Sequence, residues 1–350
     1  MAIPLFRRRS IQGDSRGRLV AALSVLLAAG AALFPVTQAA AAERTLTLIS
    51  SFPLDGPAGD KMHVVKLFIE RFNKKATGKA RIRVIGGPEI VAPFDQLKAL
   101  QTGQFDMMVA TSLYFNELRD LQFFQYLPFD EHIRTAKQAA PLLQRISREK
   151  ADVVFLQYSS PGLSFYLWTK NRPIAKPEDA RGQKIRTFGD TTAPLVRHLD
   201  IVPTSIASNE VYSALRTGLL DGALRDPLSI DLLNEGELLK FVTEANVADI
   251  ETETYISAKS WDALPEDLRR MLDETARETE VEGFAWMKNR VAAAMDKMKT
   301  RYGVQVVPSS PELKTILNQT IPKEILTGLV GNSKYKDEII EKFELRSAVN

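Results

Sequence analysis

Arg186 is the side chain of this sequence best placed to do chemistry. It lies late in Lys184-Ile185-Arg186-Thr187-Phe188, which reads as a strand, and Asp190 to Ala193 just beyond read as a helix start. Ligands of α/β folds bind outside the carboxyl ends of strands, and the free N–H groups of a helix start favour an anion. A guanidinium there can hold a carboxylate through two parallel hydrogen bonds. It can equally serve a surface ion pair, with Asp179 as partner. Arg225 stands just past another strand, before the turn Asp226-Pro227; a site role and a solvated loop role are both open to it. Tyr114 and Phe115 follow a third strand, and Tyr166 lies where the chain is expected to pass between two lobes. Each of these aromatics is a candidate ligand contact, whereas Trp261 and Trp286 read as packing residues.

Other chemistries lack their residues. The three histidines, His63, His132 and His198, are far apart, without metal-ligand spacing, so no metal site is expected. No Gly-x-Ser-x-Gly elbow, dinucleotide fingerprint or phosphate loop occurs. Hydrolase, dehydrogenase and nucleotide-dependent readings therefore have no support, and neither a catalytic group nor a cofactor is expected.

The elements that position the candidates show an internal repeat. Lys98-Ala99-Leu100-Gln101-Thr102-Gly103-Gln104-Phe105-Asp106 and Ser213-Ala214-Leu215-Arg216-Thr217-Gly218-Leu219-Leu220-Asp221 share Ala, Leu, Thr, Gly and Asp at matching places. Each reads as a helix end, a glycine stop and a short apolar strand. A unit used twice predicts two similar α/β lobes and a ligand cleft between them. Strands are expected at 44–50, 80–85, 105–110, 153–158, 165–169, 184–188, 203–206 and 219–224, alternating with helices, which implies mainly parallel sheets. Ser208 is the expected N-cap of the helix that stops at Gly218. From Pro265 to about Arg301 the chain reads as one long helix bracing both lobes, or as two broken near Gly283.

The first 42 residues differ in kind. Arg7, Arg8, Arg9, Arg16 and Arg18 precede an apolar run from Leu19 to Phe34, followed by Ala39-Ala40-Ala41-Ala42. This is the pattern of an export signal cleaved near Ala42. A retained anchor fits less well, because small residues and no basic stop-transfer flank follow the run. The leader holds five of the 46 basic residues and one of the 43 acidic ones, leaving 41 against 42, so the apparent basicity offers no case for nucleic acid. No later segment is apolar enough to span a bilayer, and without cysteine an exported chain must rely on its core alone.

Two longer motifs then carry a resemblance. Pro173-Ile174, Pro177-Glu178-Asp179, Gly182 and Lys184-Ile185-Arg186 form one; Glu210-Val211-Tyr212-Ser213-Ala214-Leu215, Gly218 and Asp221-Gly222 form the other. With Leu127-Pro128-Phe129, and Trp261 ahead of Leu264-Pro265, the chain from about Thr45 to Tyr302 resembles the extracytoplasmic solute-binding proteins of tripartite ATP-independent periplasmic (TRAP) transporters. The resemblance implies a two-lobed periplasmic binding fold, with a signal peptide over 1–42, lobe I over 43–165 and 253–288, and lobe II over 166–252 and 289–350. It further implies a receptor, not an enzyme, without cofactor. Such a receptor closes on an organic acid held by Arg186 and delivers it in the periplasm to a small and a large membrane subunit. An exported two-lobed enzyme or a ligand-sensing receptor is the alternative. Sialic-acid binders of the family carry Glu, Arg, Arg, Phe and Asn where this chain has Thr111, Tyr114, Tyr166, Ser208 and Arg225, so sialic acid is not expected. Those five positions are nonetheless the expected lining. Arg225 is free to meet a second carboxylate, and the two tyrosines to pack on an apolar body.

Overall fold

The structure is a computed structural model; it describes residues 43–346 other than Gly56 and Pro128, with 57, 58 and 129–138 described by backbone alone. The expected export signal lies outside the described residues. The chain forms β1 (Arg44–Ser50), β2 (Ala80–Gly86), β3 (Met107–Ala110), β4 (Val153–Tyr158), β5 (Ser164–Thr169) and β6 (Lys184–Thr187). It continues through β7 (Val202–Ser205), β8 (Gly222–Arg225), β9 (Phe241–Asp249), β10 (Glu253–Ser257) and β11 (Gln305–Val307). One sheet has the order β2-β1-β3-β10-β4, the other β11-β9-β5-β8-β6-β7. Helices flank both, giving the two-lobed α/β architecture.

The repeated unit occupies the same place twice. Gly103 and Gly218 end their helices with φ of +79° and +78°, where an added Cβ would meet nothing within 4 Å. Glycine is used there for its left-handed backbone, not for space. The strands that follow, β3 and β8, are interior strands of the two sheets. The shared aspartates do the same job in each. Asp106 accepts from the Thr47 backbone N–H of β1 at 2.8 Å, and Asp221 from the Lys184 backbone N–H of β6 at 2.9 Å. Each carboxylate thus ties its strand's entrance to the neighbouring parallel strand.

Both sheets are mainly parallel, and each carries one strand of opposite sense. β10 runs antiparallel to β3 and β4, and β5 runs antiparallel to β8 and β9. The cause is that the chain changes lobes between β4 and β5 and returns between β9 and β10. The two crossings lie side by side. Ser159 donates its N–H to the Thr252 carbonyl at 2.7 Å, Ile250 donates to the Leu163 carbonyl at 2.9 Å, and the Thr252 N–H meets the Ser160 hydroxyl at 2.9 Å. Short paired segments of this kind can absorb rotation while the sheets on either side stay rigid.

A third crossing is the helix Glu266–Tyr302, a single element of 37 residues and about 55 Å. Its first turn carries Glu266 and Asp267, its last Lys299 and Arg301, and Gly303 stops it at φ +67°, all matched to the helix dipole and a left-handed cap. Leu268, Leu272 and Ala276 pack under the first sheet, and Met298 packs with Trp168 and Val304 under the second. Gly283 does not break it. The glycine lets the Val64 side chain approach so closely that a Cβ would lie 2.2 Å from it. The C-terminal tail, expected with lobe II, touches both lobes. Glu324 pairs with His198 at 2.9 Å, while Lys334 pairs with Glu149 at 2.6 Å and Arg145 with Glu338.

Candidate functional site

The carboxyl ends of β3, β6 and β8 and the two crossings surround one cavity of about 340 Å³, counted to its open side. The first lobe contributes Phe52, Lys61, Thr111 and Tyr114; the second contributes Arg186, Phe188, Ser208, Arg225 and Asp226. The crossings add Leu163, Phe165, Ile250, Glu251 and Thr252.

Arg186 is 2% exposed. Its Nε donates to the Ile206 carbonyl at 3.2 Å, its Nη1 donates to the Leu224 carbonyl at 3.3 Å, and its guanidinium lies 4.1 Å from the centre of the Phe188 ring. These contacts fix the plane of the fork and hold it against an aromatic face. No carboxylate lies within ion-pair distance of it among the described residues. Asp179 is engaged elsewhere, accepting from the backbone N–H groups of Ala175 and Lys176 at 3.0 Å each. Burial, with the neighbouring Arg225 adding to it, pushes Arg186 down to about 10, while a hydrogen bond with Tyr114 works the other way. The group therefore stays charged throughout the neutral range. A buried cation held only by neutral acceptors is a site for an incoming anion.

Arg225 differs from expectation. Its Nε and Nη2 donate to the two Glu235 carboxylate oxygens at 2.9 and 2.7 Å, and its Nη1 and Nη2 reach the Ser208 hydroxyl at 2.7 Å and the Ser208 carbonyl at 3.1 Å. Both side chains of this pair are essentially inaccessible, at 2% and 0%. Burial opposes the charge on Arg225, but Glu235 more than offsets it and the net direction is upward. Ser208 is thereby explained too. It does not cap the helix Val211–Thr217; the Glu210 carboxylate takes the entry N–H of Ala207 at 2.8 Å, and the Ser208 hydroxyl is left to position Arg225.

Tyr166 is separated from this cavity. Side chains alternate along a strand, and at Tyr166 the pairing of β5 with β9 is also irregular. Phe165 faces the cavity, while Tyr166 lines a different one with Ser164, Pro227, Lys288, Val291 and Met295. Tyr114 does face the site, its ring 4.7 Å from Phe94 and 6.4 Å from Phe52. Thr111 lines the same wall, and Phe115 is buried in the core. His63 stacks on Trp286 at 4.2 Å. Among the described residues no group of His, Cys, Asp and Glu is placed to hold a metal ion.

Lys61 and Glu235 engage the charged groups of the cavity without any local sequence pattern that marks them. Lys61 donates to Asp226 at 3.0 Å and to the Ser229 hydroxyl at 2.9 Å, joining the first lobe to the second across the cavity. Burial drives its pKa down despite Asp226, and the Asp226 carboxylate is held below its ordinary value by Lys61 and Arg225 against burial. From sequence Lys61 looks like the solvated start of an amphipathic helix. Asp226-Pro227 was the one available signal, since Asp before Pro at a helix start marks a cap; Asp226 does cap Pro227–Leu232 through the Ser229 N–H at 2.8 Å.

A buried guanidinium between two α/β lobes, with paired crossing strands beneath it, is the geometry of a solute receptor, and residues 57–323 match the family model "Bacterial extracellular solute-binding protein, family 7", DctP. The chain belongs to the DctP family. It is 26% identical over 242 residues to the C4-dicarboxylate-binding periplasmic protein DctP of Rhodobacter capsulatus, covering 66% of this chain and 71% of that one. Among solved structures it is similar to DctP7 of Bordetella pertussis, an extracytoplasmic solute receptor binding pyroglutamic acid. The TM-score there is 0.74 at 19% identity, over 86% of this chain and 99% of that one. It is likewise similar to a TRAP periplasmic solute-binding protein of Sulfurospirillum deleyianum with bound succinate, at TM-score 0.70 and 22% identity over 87% and 99%. DctP proteins are extracellular receptors, and among the described residues no helix is long and apolar enough to cross a membrane.

Proposed function

We propose that this DctP protein is the periplasmic receptor of a TRAP transporter, exported by a signal cleaved near Ala42, and that it captures a small organic acid through Arg186. The observation that carries the reading is the buried Arg186 guanidinium in the interlobe cavity, with backbone carbonyls and an aromatic face but no carboxylate of its own. A ligand carboxylate completes it. Phe52, Phe165 and Phe188 take the body of the acid, and Thr111 and Tyr114 close the wall from the first lobe. Lobe I, 43–165 with 253–288, swings on lobe II, 166–252 with 289–350, about the paired crossings. The closed form docks on the small and large membrane subunits. The chain itself carries out no reaction and needs no cofactor. The relatives named above bind carboxylates in their own right, which agrees with this reading.

A thermal-shift screen of the mature protein with small carboxylates, their amides and neutral sugars tests it. A ligand present at 100 times its Kd adds about 2.7 kcal/mol to stability, so acids should raise Tm. A protein raised in Tm by amides or sugars and not by acids would contradict the proposal.

A further inference from the structure

The cavity is built with three cations, yet two already have carboxylates inside the protein. Arg225 is closed by Glu235 through two parallel hydrogen bonds and by Ser208 on its remaining edge. Lys61 is closed by Asp226, itself hydrogen-bonded to Ser229. Arg186 alone of the three has neutral acceptors. A third acidic residue, Glu251, also lines the cavity. One ligand carboxylate therefore finds a matched cation. A second would have to displace Glu235 or Asp226 from a fully desolvated pair, or lie uncompensated among Phe52, Phe165 and Phe188.

Resting on the reading of Arg186 as the carboxylate clamp, we infer that this receptor selects monocarboxylates with an apolar body and rejects dicarboxylates, and that Glu235 is the residue that sets this choice. Glu235 touches no ligand. It acts by occupying Arg225, the cation that would otherwise recognise a second acid group. Specificity of this kind comes from a repulsive or unavailable element as much as from an attractive one.

The test is isothermal titration of the mature protein with chain-matched probes, butyrate against succinate and hexanoate against adipate. The monoacid of each pair is expected to bind at least 100-fold more tightly. In Glu235→Gln, which keeps the shape and removes the charge, succinate and adipate should gain at least tenfold relative to their partners. Wild-type protein that binds the diacids as tightly as the monoacids overturns the inference, whether or not the variant folds. So does a folded Glu235→Gln with unchanged preference. Arg186→Ala separates the two levels of the argument. If it abolishes diacid binding that the wild type shows, the clamp stands and the selectivity falls. Monoacid binding that survives it undiminished removes the clamp and this inference with it.

Discussion

Lys61→Met tests whether the lobes are latched across the cavity. In the structure the Lys61 ammonium sits 3.0 Å from Asp226 and 2.9 Å from Ser229, with both charged side chains largely out of solvent. Lys61 precedes the helix His63–Lys75 of the first lobe, and Asp226 follows β8 of the second. If the pair forms only on closure, its loss falls on the closed state. Removing one partner of a buried pair costs about 3–5 kcal/mol, which is roughly 150- to 5,000-fold in Kd. The low end is expected, because Asp226 keeps its bonds to the Ser229 N–H and hydroxyl at 2.8 and 2.6 Å. Titration of the acid that shifts Tm most, set beside calorimetric unfolding without ligand, reads the two contributions separately. The account expects weaker binding with little change in unliganded Tm, and partial rescue in Lys61→Met/Asp226→Leu, where no charge is left stranded. A large fall in unliganded Tm with unchanged Kd would show a permanent structural pair and refute the latch.

Three further outcomes follow from the packing and the buried charge. Glu253 is buried where it accepts from the Ser112 N–H at 2.9 Å and hydroxyl at 2.8 Å, and burial, with Glu251 adding to it, raises it to about 8. The folded state thus keeps a proton that the unfolded chain releases near the ordinary glutamate value of about 4.3. Stability from this group is full below that value and declines as pH rises towards about 8; Glu253→Gln should flatten the slope in urea unfolding between pH 5 and 9, and an unchanged slope would clear Glu253 of it. Gly283→Ala should lose about 1–3 kcal/mol by overpacking against Val64, and Val64→Ala should restore part of it; a neutral Gly283→Ala would mean the helix can shift at no cost. Tyr166→Ala should leave acid affinity within about twofold, because its side chain lines the other cavity, whereas a tenfold loss by titration would return Tyr166 to the site.

Sequence alone carried the two-lobe plan because its evidence is local: the helix-glycine-strand unit recurs at Gly103 and Gly218, and the left-handed glycines appear where that pattern needs them. Arg186 was legible for the same reason, since strand, arginine and helix start are neighbours in the chain. What escaped depends on partners distant in sequence or on irregular strands. β9 mixes Glu244, Asn246 and Asp249 with buried Val242, Ala245 and Val247 and carries register shifts, so no period of two survives. β9 and β10 carry no clear strand signal, and with them the antiparallel pairs that β5 and β10 make inside the mainly parallel sheets stay hidden in the sequence. Tyr166 stands out in the sequence by its place at the crossover, whereas its neighbour Phe165 is the one that lines the cavity with Arg186. Arg225 was visible, but Glu235, ten residues later in a short turn of helix, gives no sign in the sequence that its carboxylate folds back. Lys61 and Asp226 are 165 residues apart, and no local pattern couples them.

The central claim is that Arg186 holds the ligand carboxylate. Titration of wild type, Arg186→Lys and Arg186→Ala with the acid that shifts Tm most tests it directly. The account predicts a loss of about 2–5 kcal/mol, or roughly 30- to several-thousand-fold in Kd, for Arg186→Ala. Arg186→Lys should fall between, because an ammonium keeps the charge but not the two-pronged geometry. Unfolding in the absence of ligand confirms that each variant is folded. A folded Arg186→Ala that binds the acid as tightly as the wild type would contradict it.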